Sequence, residues 1–220
     1  MKQNVFNAPP FSTYLAQVGG DVRQAVIALL QKSVDLQPSS IAYYQKAWLT
    51  AIPLITSAAA STSAVEISVA SSSLRDIAYG DTLPLNPPSP AIKVYMLLLR
   101  ANTIALDGHY VSSSQGSVAA AYEKAIATSI EYTSNATVQY YLVSASLKYA
   151  EWLSAQTPAP QVQISHLVHN ITSLRVPSFE TALLSEKNLP SSNAELKAVT
   201  QLARVSPDFK NYLNVIGWNS

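Results

Sequence analysis

The chain has 220 residues, of which 12% are charged, with 14 lysines and arginines against 13 aspartates and glutamates and no cysteine. That length can bury a substantial core. The balance of charge removes the basic footprint of a nucleic-acid-binding protein, and the missing thiols remove disulfide frameworks and thiolate metal sites.

The charged share is about half that of an average soluble domain. Alanine, serine, threonine and twelve tyrosines take its place, a composition suited to close helix packing and to surfaces that meet other protein. Low charge also lowers the self-repulsion that opposes assembly. The start of the chain, MKQNVFNAPPFSTYL, carries one lysine but no apolar run before Pro9-Pro10, so no signal peptide is expected. The uncharged run from Ala47 to Val65 is long enough to span a bilayer, but Pro53 and its many hydroxyl residues favour a buried helix over a membrane span.

In chain order, residues 1–10 read as an arm leading into a short helix over Phe11 to Val18, which Gly19-Gly20 ends. Asp21 is a good N-cap, and Val22, Ala25, Val26, Leu29, Leu30 and Val34 follow at helical spacing. Leu36-Gln37-Pro38 stops that helix, because proline biases its predecessor away from α geometry, and Ser39 or Ser40 can cap the next run from Ile41. The product is a helical hairpin.

The order Gly20-Asp21, Ala25-Val26, Gln31-Lys32, Leu36-x-Pro38-Ser-Ser, Ala42 and the aromatic Tyr44 resembles a tetratricopeptide repeat over roughly thirty residues, with one residue extra near Leu29-Leu30 and Ser33 where that family prefers alanine. The resemblance implies stacked helix pairs that bind peptides or partner proteins in a groove, and it carries no catalytic residues.

Beyond the hairpin, Ile41 to Thr56 places Tyr44, Trp48, Ala51, Ile52 and Ile55 on one side, with Pro53 breaking the helix. Ser57 to Ser73 is either a linker or a helix with a small-residue face, and Val65, Ile67, Val69, Leu74 and Ile77 favour the helix. Four prolines within Asp81 to Pro90 make the clearest irregular connection, and the chain reads as one helical domain with a possible sub-boundary at 81–90. Ser89-Pro90 then opens a strongly apolar helix from Ile92 to Ile104, expected to be the most buried, which closes at Asp107-Gly108. A helix over Ser117 to Thr133 follows. Within it Ala121-Tyr122-Glu-Lys-Ala125-Ile126, preceded by Gly108-x-Tyr110, is again similar to part of a tetratricopeptide unit. The next helix begins at Asn135 or Thr137, carries Tyr140, Tyr141, Leu147, Tyr149 and Trp152, and ends at Thr157-Pro-Ala-Pro160.

The last sixty residues read as shorter helices over Gln163 to Leu174, Ser178 to Lys187, Ala194 to Val205 and from Ser206-Pro207 onward, with Ser192-x-x-Glu195 as a capping box. Ala182-Leu-Leu184, Pro190-Ser-Ser192 and Lys197-Ala198 echo Ala28-Leu-Leu30, Pro38-Ser-Ser40 and Lys46-Ala47. The offset is not a whole number of repeats, so the echo fits either a repeat or a shared local helix–turn–helix solution.

Chemistry-bearing patterns are sparse. His166 and His169 sit at i and i+3 with few carboxylates nearby, and Asp107-Gly-His109 stands at a helix end without a Gly-x-Ser-x-Gly elbow elsewhere. Six glycines offer nothing for a phosphate-cradling loop. No metal, cofactor or catalytic set is expected. Lys93 and Arg100 read as stems snorkelling over the core, with a groove-lining role as the other possibility. The aromatics are the remaining feature: Tyr43, Tyr44 and Trp48, then Tyr95, then Tyr140, Tyr141 and Trp152 give each long helix large amphipathic rings of the kind enriched at interface hot spots, or of the kind that pack between helices with their hydroxyls at the rim.

These readings converge on an all-α fold of seven to nine helices in antiparallel hairpins, as a short irregular α-solenoid or helical bundle. The expected function is non-enzymatic binding of a protein or peptide through a Tyr-rich groove. Tyr43, Tyr44, Trp48, Tyr95, Arg100, Tyr140, Tyr141 and Trp152 are its candidate residues. The alternatives are a self-assembling structural protein, for which the composition resembles structural proteins of viruses of thermophilic archaea, and an enzyme of unknown class. Compartment stays open between the cytoplasm and an extracellular assembly.

Overall fold

A computed structural model describes residues 11–55, 63–87, 89–111, 115–186 and 193–218. Among them the fold is all-α, with eleven α-helices and no strand. The count exceeds seven to nine, and each of the eleven falls on a segment read as helical in the sequence. The Pro9-Pro10 arm and Ser192 of the expected capping box lie outside the described residues. The chain divides into two compact units, Met1–Leu85 and Asn86–Ser220, within the Pro-rich connection.

The first unit holds α1 (Phe11–Gln17), α2 (Val22–Leu36), α3 (Ser40–Ala51), a 3-10 turn over Ile52–Ile55, and α4 (Ala64–Asp81). Each helix packs on the next in sequence. Asp21 caps α2 by accepting from the Gln24 amide at 3.0 Å. Ser39 occupies the N-cap of α3 without a side-chain bond, and the Ser40 hydroxyl donates instead to the Pro84 carbonyl at 3.2 Å. Pro53 ends α3, and the chain tightens into the 3-10 turn.

The segment open between linker and helix is a helix from Ala64 onward. Ser63 and Glu66 form the reciprocal capping box that starts it, a Ser-x-x-Glu signal that sequence reasoning passed over. Small residues then let α3 and α4 close on each other. The Ser73 hydroxyl donates to the Ala47 carbonyl at 2.9 Å, Lys46 pairs with the buried Asp76 at 2.9 Å, and Gly80 lies against the Tyr44 ring.

The second unit holds α5 (Pro90–Asp107), α6 (Gln115–Ile130), α7 (Ala136–Ser154), α8 (Gln161–Leu174), α9 (Pro177–Glu186), α10 (Asn193–Val205) and α11 (Pro207–Val215). Its organising element is α7, which packs against α5, α6, α8, α9 and α10, while α11 lies against α8 and α10. This corrects the expectation that α5 is the most buried helix: more of α7 is buried, including Ala145, Ser146, Ala150 and Ser154. Small side chains on several faces let neighbours approach from several directions, whereas the longer apolar residues of α5 advertise burial more loudly in the sequence. Asn135 caps α7 by accepting from the amides of Thr137 and Val138, and Ser89 and Ser206 cap α5 and α11. Among the described residues no helix is long and apolar enough to cross a membrane.

Candidate functional site

The eight candidate residues divide between the units and take different roles. In the first unit Tyr44 belongs to the core, with its hydroxyl donating to Asp81 Oδ1 at 2.7 Å. Tyr43, its neighbour on α3, stacks on the exposed Tyr79 of α4, ring centroids 5.9 Å apart. Trp48 is half-buried. Tyr44 is therefore a brace between helices, and the Tyr43–Tyr79 pair is the part of this group that meets solvent.

In the second unit Tyr95, Tyr140 and Tyr141 come together. Tyr95 of α5 lies 5.4 Å from Tyr141 of α7, Tyr141 meets Tyr140 edge-on at 5.7 Å, and Tyr140 meets the buried Phe179 of α9 at 6.0 Å. The rings form a continuous run from core to surface, and Tyr95 at its outer end is 38% exposed. Burial and the neighbouring Tyr95 and Tyr140 hydroxyls push the Tyr141 pKa up, so the neutral form of that hydroxyl is favoured. Arg100 is half-buried five residues further along α5, about 140° round the helix from Tyr95, so it does not share the tyrosine face.

Trp152 belongs to a second run, stacked on Tyr149 at 6.1 Å, which stacks in turn on Tyr122 at 5.3 Å. The Tyr149 hydroxyl donates to Glu123 Oε1 at 3.1 Å and the Tyr122 hydroxyl to Asn102 Oδ1 at 2.9 Å. Burial, with Glu123 beside it, pushes Tyr149 up to about 12. Burial also raises Tyr122, with Glu151 adding to the effect. Glu123, Tyr149 and Trp152 border an open cleft of about 500 Å³ at the C-terminal end of α7, beside the cis Thr157-Pro158 bond. Sequence reasoning did not connect Tyr122, Phe179 or Glu123 to the aromatic set. The three come from α6 and α9, and no spacing within α7 announces them.

The other singled-out residues stay apart. His109, His166 and His169 are exposed, and Asp107 is fully buried. Among the described residues no three His, Asp or Glu side chains are grouped as a metal ion would need. A further cleft of about 540 Å³ lies between α10 and α11. Comparison of the chain with protein-family models, with curated protein sequences and with solved structures finds no match in any of the three.

Proposed function

We propose that the protein is a non-enzymatic helical interaction protein that binds a protein or peptide partner through the tyrosine face of its second unit. The observation that carries this reading is the ring run that leaves the core at Phe179 and reaches solvent at Tyr95. Rings anchored at one end lose little side-chain entropy when a partner covers them, and each offers an apolar face with a hydroxyl at the edge. The tetratricopeptide-like first hairpin supports the same class of function.

Self-assembly is the second reading, and a separate observation favours it. Large apolar side chains stand in solvent on both units, among them Val22 and Leu36 on α2, and Val162 and Val215 on α8 and α11. A chain of net charge +1 opposes its own association only weakly.

Light scattering behind size exclusion across a concentration series, at neutral and acidic pH, separates the two. A mass constant at 23.7 kDa supports the monomeric binder, and growth into a defined large species supports assembly. A benzophenone side chain placed at Tyr95, irradiated in an extract of the source cells, is expected to give one discrete adduct, while the same group at the exposed Lys124 gives none. Labelling from position 124 but not from 95 would remove the tyrosine face as the binding surface.

A further inference from the structure

Distinct from the tyrosine face, the two C-terminal helices build a trough with its own chemistry. Leu213 and Trp218, both buried, floor the cleft between α10 and α11, while Arg204 and Lys210 stand exposed at its edge. The trough continues into an adjoining concavity of about 440 Å³ along α10, lined by Lys197 and sharing Thr200 and Arg204 with the first. Three cations thus line two adjoining concavities that share Thr200 and Arg204, and among the described residues no carboxylate lines either. Asp208, the acidic residue of α11 nearest in sequence, borders a different cleft, beside Arg175.

Lys46, Lys148 and Arg175 are each paired with a carboxylate, while among the described residues other cations of the chain, Lys32 and Lys124 included, are not. Lys197, Arg204 and Lys210 have no such partner among the described residues.

We infer that this trough binds an acidic peptide segment carrying an apolar anchor residue. The apolar anchor fits the Leu213–Trp218 floor, in a cleft of the size that typically seats a ligand. Arg204 presents the planar fork that matches a carboxylate, and Lys197 and Lys210 supply point charges on either side of it. Lys197 and Arg204 lie seven residues apart on α10, about 10 Å along its axis, close to the reach of three residues of extended chain. Charges at that separation suit an extended polymer whose acids stand three positions apart, with an apolar residue between them, better than one small anion. A single-stranded nucleic acid is the less favoured occupant, because a chain of net charge +1 lacks the extended basic footprint that a phosphate backbone needs.

The test is fluorescence anisotropy of a labelled nonapeptide with a central leucine between glutamates, titrated with the full-length protein at 20 mM and 300 mM salt. Comparison probes are the glutamine version of the peptide, decanoate and oligo-dT. The acidic peptide is expected to bind at least tenfold more tightly than its glutamine version and to weaken at high salt, as screening of exposed charges requires. Arg204→Glu with Lys210→Glu should lower affinity at least tenfold, and Arg204→Lys should lower it less. All three positions are exposed, so circular dichroism of the variants is expected to match the parent, and Tyr95→Ser should leave peptide binding unchanged. That last variant keeps this site's failure distinguishable from failure of the tyrosine face. Equal binding of the glutamine peptide, equal or tighter binding of oligo-dT or decanoate, or full affinity in the doubly reversed variant would each overturn the inference.

Discussion

Gly80 shows how one residue sets the spacing of two helices. A Cβ built there would stand 2.6 Å from Cε1 and 2.9 Å from Cδ1 of Tyr44, a ring that is itself buried and held at its hydroxyl by Asp81. Alanine in a helix interior gains about 1 kcal/mol over glycine in propensity, while overpacking a close contact costs about 1–3 kcal/mol. The clash should win, so Gly80→Ala is expected to lower the urea midpoint of the first unit. A raised midpoint would show that the Tyr44 ring can shift without cost.

Tyr149 offers a second test at the same scale. Its folded pKa lies near 12, above the usual value of 10, so the neutral hydroxyl is the form the fold accepts. Stability from this group is fully present below pH 10 and is lost as pH rises from 10 towards 12, where the unfolded chain ionises first. Tyr149→Phe should therefore flatten the fall in urea midpoint between pH 10 and 12 relative to the parent, while leaving the Glu123 carboxylate free to turn to solvent. An unchanged alkaline slope would mean that Tyr149 ionises normally, which absorbance at 295 nm would report directly.

Among the elements, α7 holds the second unit together, and its start depends on one side chain. Asn135 satisfies two amides of the first turn with a single oxygen. Asn135→Ala is expected to cost about 1 kcal/mol, and Asn135→Ser to recover most of it. Loss of helical signal throughout the unit, rather than a modest drop in midpoint, would show that this cap nucleates the bundle.

The caps were legible before the structure because they are local. An acceptor side chain lies within three residues of the amide it serves, as at Asp21, Ser89 and Ser206. The same holds for Ser63 and Glu66, where the motif was present and the surrounding alanine- and serine-rich sequence obscured it. The centrality of α7 was not legible, because its buried alanines and serines look like a solvent-tolerant face until five other helices close on them.

For the whole molecule, two units each with their own buried residues suggest two folding units. A fragment spanning 86–220 is expected to retain α-helical circular dichroism and a cooperative urea transition. A broad, non-cooperative melt of that fragment would show that its core is incomplete without residues 1–85. The 1–85 fragment should be the weaker of the two, since smaller domains bury a lower fraction of their surface, and in α2 only Ala25 and Val34 are buried.

The residues that give this protein its class are those whose effects act over a few positions. Proline and glycine stops, hydroxyl and carboxylate caps, and apolar spacing were enough to determine an all-α chain and nearly every helix in it, because backbone hydrogen bonding in a helix closes within four residues. Which tyrosines are core and which meet solvent was decided only by tertiary structure. Tyr43 and Tyr44 are adjacent in sequence and lie 100° apart on α3, so the packing of α4 buries one and leaves the other stacked at the surface. The cationic trough arises in the same way. Lys197, Arg204 and Lys210 are ordinary surface residues in sequence, and they line two adjoining concavities because of how α10 and α11 pack beside Leu213 and Trp218.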